Sequence, residues 1–202
     1  MASAIIHICV AKEINKKMNV SVKELYLGSI APDVSKEIGG SRTDSHFLDF
    51  DNGYPNIERF INKYRNNLSD PFVLGYLTHL VTDKLWIDFL QEYVLEDNIY
   101  NKNGDNILVI DKDIKTLLYE DYTSLNQVLI NEYELELSLF YEELIVPNCI
   151  IDEVPMNKLN LIVDKIGTII YNSKMDKQLL LNERKIVDFI GKCRDAVLEY
   201  LN

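Results

Sequence analysis

Apolar residues recur along most of the chain three or four positions apart, the period of helices with one buried face. Ala4 to Met18 carries Ile5, Ile6, Cys9, Val10 and Ile14 in this pattern, which predicts a first helix. Ser21 is placed to cap a second, short helix through Ile30, with Glu24 completing a capping box and Pro32 ending it. Residues 33–55 hold Gly39, Gly40, Gly53 and Pro55 among polar side chains and predict a long irregular segment, usually functional or mobile in a compact domain. Asn56 to Asn66 predicts a third helix on Ile57, Phe60, Ile61 and Tyr64. Asp70-Pro71 then supplies an N-cap followed by proline at the first helical position, opening a helix expected to reach about Glu96. Between residues 72 and 90 that helix is apolar on nearly every side, the mark of a buried central helix.

Beyond it the signals weaken. Asn98 to Gly104 reads as a turn-rich break, Asn106 to Ile110 as a short strand, and Asp111 to Tyr141 as one or two helices. Pro147 and Pro155 bracket an irregular connection, and Asn157–Asn172 and Asn182–Leu201 form two more amphipathic helices. The expected fold is all-α, a single domain over residues 1–202 with six to eight helices bundled around the central one near 71–96.

Composition narrows the function classes. The formal net charge of −11 argues against a nucleic-acid footprint and against electrostatic docking on anionic lipid. It leaves room for a small anion held by a metal, because a local cation outweighs the global field. Cys9, Cys149 and Cys193 are odd in number and widely spaced, which suggests free thiols in a reducing compartment. The first residues, MASAIIHICVAK, lack the basic start and uninterrupted apolar run of a secretory signal. No stretch approaches the roughly 20 apolar residues of a spanning helix. A cytoplasmic location is expected.

The chain has three histidines, all within its first 79 residues. His79 and Asp83 stand four apart on the central helix, one turn above each other on one face, where both can reach one ion. With 32 acidic residues in 202, any histidine has roughly a one-in-six chance of such a neighbour, so the spacing alone says little. The setting says more: an ionised aspartate among Leu80, Val81, Leu85 and Trp86 must be paired or bind a metal. His7, Asp33 and His46 each have a bland alternative, respectively a core histidine, a turn residue after Pro32 and a solvated loop residue.

Taken in order, four pieces resemble the zinc-dependent phospholipase C family, which is related to single-strand-specific nucleases. They are His7 with Ala11, Leu27-Gly-Ser-Ile-Ala-Pro-Asp33, Ser45-His46, and Gly75-Tyr-Leu-Thr-His79 with Asp83. They span about the first 90 residues, and the family is all-α. The resemblance implies a metal site of Asp33, His46, His79 and Asp83, with Asp83 bridging to a second ion held by His7. Imidazole and carboxylate suit Zn²⁺ or another divalent transition metal, as one or two ions. Asp33 would be both ligand and the catalytic residue that orients or deprotonates the attacking water.

The chain departs from the family in three respects. Secreted members ligate an ion through the amino terminus of a mature tryptophan, whereas this sequence starts Met1-Ala2-Ser3. A further family site uses two later histidines and a glutamate, and no histidine follows His79, leaving Glu120 or Asp121 as the nearest substitute carboxylates. There is also no counterpart of the lipid-binding domain of toxin members, so a lytic role is not expected. The function implied is a metal-dependent hydrolase of phosphate esters or phosphodiesters, acting on a small phosphate ester or lipid headgroup. The alternative is a non-catalytic relative that keeps its metal as a structural or binding module.

Overall fold

The computed structural model describes residues 2–51, 53–96, 99–102, 105–108, 113–174 and 181–201, with side-chain surroundings for all of these except 91–96, 99–102, 105–108 and 113–120. Helix α1 spans Ala4–Met18; the Ser3 side chain accepts from the Ile6 N–H, and Asn19, in the left-handed conformation, closes it. Helix α2 spans Val22–Ile30. Ser21 sits at its N-cap position but makes no side-chain cap bond, so the expected capping box is not formed. Helix α2 does end where expected, at Ile30, two residues before Pro32. Pro32 lies at the start of a 3₁₀ turn, Ala31–Asp33, where its missing N–H costs nothing, and this turn leads into α3, Val34–Glu37. Helix α4, Arg42–Ser45, is capped by the Ser41 hydroxyl. The segment expected to be irregular therefore contains two short helices, and Asp33 and His46 flank them.

Helix α5 spans Ile57–Tyr64. Asp70 caps the long α6, Pro71–Glu96, with Oδ1 accepting from the N–H groups of Phe72 at 2.9 Å and Val73 at 3.2 Å. An antiparallel hairpin follows, β1 (Ile99–Lys102) paired with β2 (Asp105–Leu108). The first strand occupies the stretch expected to be a turn-rich break; the second overlaps the expected strand, whose last two residues lie outside the described ones. Helices α7 (Asp113–Glu132), α8 (Leu159–Asn172) and α9 (Glu183–Tyr200) complete an otherwise helical architecture. Among the described residues, no helix is long and apolar enough to cross a membrane.

The centre of the bundle is α6, buried without interruption from Phe72 to Asp83. Each large apolar side chain fully buried there contributes about 1.5–3 kcal/mol relative to exposure. The tightest crossing is between α2 and α6 at Gly28 and Gly75. A Cβ at Gly28 would lie 2.0 Å from the Phe72 carbonyl oxygen, and one at Gly75 would lie 2.1 Å from that of Leu25. Both glycines let backbone touch backbone. Trp86 packs on α9 through Phe189 at 5.2 Å between ring centres, while Phe60 stacks on Tyr76 at 5.3 Å on the opposite flank.

Candidate metal centre

Five polar side chains from four segments meet where α1, the α2–α3 turn, α4 and α6 converge. His7, His46, His79 and Asp83 are 0–1% exposed, while Asp33 keeps 15% of its side chain accessible. The carboxylate of Asp83 splits its two oxygens. Oδ1 lies 3.5 Å from His7 Nε2 and accepts from the Ala2 backbone N–H at 3.3 Å. Oδ2 lies 3.7 Å from the Nε2 atoms of both His46 and His79. Asp33 Oδ1 lies 3.3 Å from His46 Nε2 and 4.0 Å from His79 Nε2. All five residues expected from the sequence are thus brought together.

Counting protons constrains the tautomers. His79 Nδ1 is 2.8 Å from the Ser29 carbonyl oxygen, which can only accept, so Nδ1 carries the proton and Nε2 presents a lone pair. The Ser35 hydroxyl donates to the Pro32 carbonyl at 3.1 Å. The single proton of Ser45 can then go to Ser35 Oγ at 2.9 Å or to the Arg42 carbonyl at 3.4 Å. With the Ser45 proton so placed, His46 Nδ1 donates to Ser45 Oγ at 2.9 Å and Nε2 is bare as well; in the other tautomer Ser45 donates to Nδ1, and Nε2 carries its proton 3.3 Å from Asp33 Oδ1. The two Nε2 atoms face each other at 3.2 Å, an approach that suits either a shared proton or a cation held between two lone pairs.

That spacing matches a metal shell. Ligands bonded to zinc at about 2.0–2.1 Å in a tetrahedron are about 3.3 Å apart. The His46–His79 and His46–Asp33 edges are 3.2 and 3.3 Å, and those to Asp83 and between Asp33 and His79 open to 3.7–4.0 Å. Two overlapping groups have donor atoms close enough for one ion: Asp33, His46 and His79; and His7, His79 and Asp83. His79 offers only one free lone pair, so it can serve one of them. Asp83 Oδ2 stands 3.7 Å from both imidazole nitrogens of the first group. The second retains His7 and Asp83 Oδ1, a split carboxylate that suits a bridge. Both ring nitrogens of His7 lack a protein hydrogen bond, and its ring stacks on His79 at 4.0 Å.

The electrostatics favour deprotonated ligands. Burial, then the nearby His7, pushes the His79 imidazole well below its ordinary pKa. Burial alone would raise Asp83, but the adjoining imidazoles, His7 at 3.5 Å foremost, hold it well below the carboxylate range. Asp33 is likewise held low against burial by the adjoining His46 imidazole at 3.3 Å, by His79 and by the Lys36 cation.

Two cations went unnoticed in the sequence. Lys36 Nζ lies 2.6 Å from Asp33 Oδ1, and Arg42 Nη2 lies 3.1 Å from Asp83 Oδ2. The positioning groups Ser29, Ser35 and Ser45 were also unforeseen, although Ser45 is fixed further by the Tyr76 hydroxyl, which donates to its carbonyl. Among the substitute carboxylates, Asp121 is not part of the cluster: buried, it accepts from the Leu181 N–H through Oδ2 at 2.8 Å. The Glu120 side chain lies outside the described ones. No family model, curated protein or solved structure matches this chain.

Proposed function

We propose that this protein is a metal-dependent hydrolase of phosphate esters, similar to the zinc-dependent phospholipase C family. The carrying observation is the convergence of two imidazole Nε2 atoms, 3.2 Å apart, with the carboxylates of Asp33 and Asp83, both held well below the ordinary carboxylate range. Asp33, His46, His79 and Asp83 would hold one Zn²⁺-like ion, and His7 with the second oxygen of Asp83 would help hold another. Such an ion acidifies bound water and neutralises charge on a phosphoryl oxygen.

The protein's own groups divide the remaining work. Asp33 is the ligand with an accessible side chain, so its carboxylate meets solvent and substrate at the edge of the shell. It accepts a hydrogen bond from the attacking water and aims it at phosphorus. The water oxygen bonds to phosphorus, the ester P–O bond breaks, and the water's proton passes by way of Asp33 to the departing alkoxide. Ser29 and Ser45 hold the two imidazoles so that they offer Nε2.

Metal analysis of protein purified without added zinc, alongside His79→Ala, tests the centre. Stoichiometric metal lost in the variant is expected; metal content unchanged by the substitution refutes it. Hydrolysis of a chromogenic diester separates enzyme from binding module. Turnover abolished by Asp33→Asn supports the hydrolase, whereas a metal-loaded protein without turnover in Zn²⁺, Mn²⁺ or Mg²⁺ favours the non-catalytic alternative.

A further inference from the structure

Next to the metal shell lies a cavity of about 340 Å³, enclosed by the start of α1, by α3, and by one face each of α7 and α8. Asp33 forms part of its wall, so cavity and shell are continuous. The volume sits at the small end of ligand pockets, which run about 300–1,000 Å³. Its far wall, on α8, is apolar: Ile162, Ile166 and Ile169. Lys36 and Lys165 stand on its lining, Lys36 against Asp33 and Lys165 against Glu37. The start of α1 also lines it; there the Ser3 side chain accepts from the Ile6 N–H and Asp83 accepts from the Ala2 N–H.

Asn126 of α7 is the odd group in this wall. It is 3% exposed, and its Oδ1 has no protein hydrogen-bond partner. A buried amide oxygen left unmatched costs about 1–3 kcal/mol, so such a group beside a cavity marks a place for a donor. Apolar side chains would fill this position more cheaply if packing were its only role.

We propose that this cavity receives the organic part of the phosphoester, and that Asn126 is the specificity-determining residue, accepting a hydrogen bond from a hydroxyl of a small polyol phosphate. The proposal rests on the hydrolase reading and adds the substrate's class to it. The phosphoryl group lies toward Asp33 and Lys36, the carbon skeleton lies along Ile162 and Ile166, and a hydroxyl reaches Asn126 Oδ1. A two-chain lipid exceeds the cavity, whereas a soluble phosphate of three or four carbons fits it.

The test uses the full-length, zinc-loaded protein and isothermal titration with three probes: glycerol phosphate, propyl phosphate and inorganic phosphate. Propyl phosphate keeps the carbon chain and lacks the hydroxyls. Glycerol phosphate is expected to bind about tenfold more tightly than propyl phosphate, the equivalent of about 1.4 kcal/mol. Asn126→Leu should bring the two within about twofold while zinc content and propyl phosphate affinity stay unchanged. Ile169→Trp, at a half-exposed position on the cavity wall, should weaken both organic probes and spare inorganic phosphate, which gives an independent check if the Asn126 variant misfolds.

Equal binding of the two organic probes by the wild-type protein, or a preference that survives Asn126→Leu, overturns the pocket. Inorganic phosphate binding to zinc-loaded protein in that case leaves the metal reading standing. Failure to hold zinc or any phosphate overturns both. Sedimentation with phosphatidylglycerol vesicles, without affinity for soluble glycerol phosphate, overturns the proposal in favour of a membrane lipid.

Discussion

Gly75→Ala probes the geometry that sets the metal shell without touching a ligand. The new Cβ would sit 2.1 Å from the Leu25 carbonyl oxygen, 2.8 Å from the Ser29 nitrogen and 2.9 Å from the Gly28 Cα. Ordinary contact begins near 3.4 Å, so the closest approach is short by 1.3 Å (3.4 − 2.1). Every obstructing atom is backbone, and rotamer changes cannot relieve the clash. α2 and α6 must separate or slide by on the order of 1 Å, and overpacking of this kind costs about 1–3 kcal/mol or more. For a domain of this size that lowers Tm by roughly 2–4 °C per kcal/mol. The same movement pulls the Ser29 carbonyl from His79 Nδ1, a hydrogen bond now 2.8 Å long. Metal sites tolerate about 0.2 Å of error, and loss of such a supporting bond costs about 10–100-fold in affinity. Thermal melts with and without zinc, together with competition against a chromogenic chelator, read both effects. A Gly75→Ala protein with wild-type Tm and wild-type zinc affinity would refute the inference that this crossing positions His79.

Three other outcomes are expected. Arg42→Met should lower the Tm of chelator-treated protein by the equivalent of about 1–3 kcal/mol, discounted for the partly exposed arginine. It should also tighten zinc binding, because the guanidinium no longer competes for Asp83 Oδ2; weaker zinc binding would contradict this. Metal-free protein should lose stability as pH falls below 6.5, because the unfolded chain protonates His79 while the fold keeps it neutral. Below 3.8 the unfolded Asp33 and Asp83 take up protons that the fold refuses, a further loss, at about 1.4 kcal/mol per proton and pH unit. Urea melts independent of pH between neutral and acidic buffers would contradict it. Finally, a disulfide reagent should modify Cys149 in the folded protein, while Cys9 and Cys193, buried with thiols pushed up by desolvation, should react only on unfolding. Mass mapping of the labelled peptides decides this.

Much of this architecture could be read ahead because its signals are local and repeated. α6 announces its start through Asp70-Pro71 and its burial through the apolar or small run Phe72 to Thr78. His79 and Asp83 are legible because helical spacing places them on one face. α3 and α4 were missed because four residues cannot display a 3.6-residue period, and with them went the burial of His46, which lies in polar sequence yet is fully enclosed. The Ser21 cap failed for a related reason: its sequence permits the bond, but nothing local enforces the serine rotamer. Lys36 stands three residues after Asp33, a spacing open to view, but Asn126 and Arg42 carry no such signal. Their roles arise from contacts between segments that only the packed chain brings together.

The division of labour between the two halves of the chain has a consequence for how such a protein could change. All five proposed ligands stand at or before residue 83, whereas Asn126, Ile162, Ile166 and Ile169 come from α7 and α8. The proposed ligands and the far wall of the cavity thus come from separate stretches of sequence, while α1 and α3 border both. If the proposed function holds, substitutions in the later helices would reshape that far wall and leave the five ligands in place, so preference could drift without dismantling the centre.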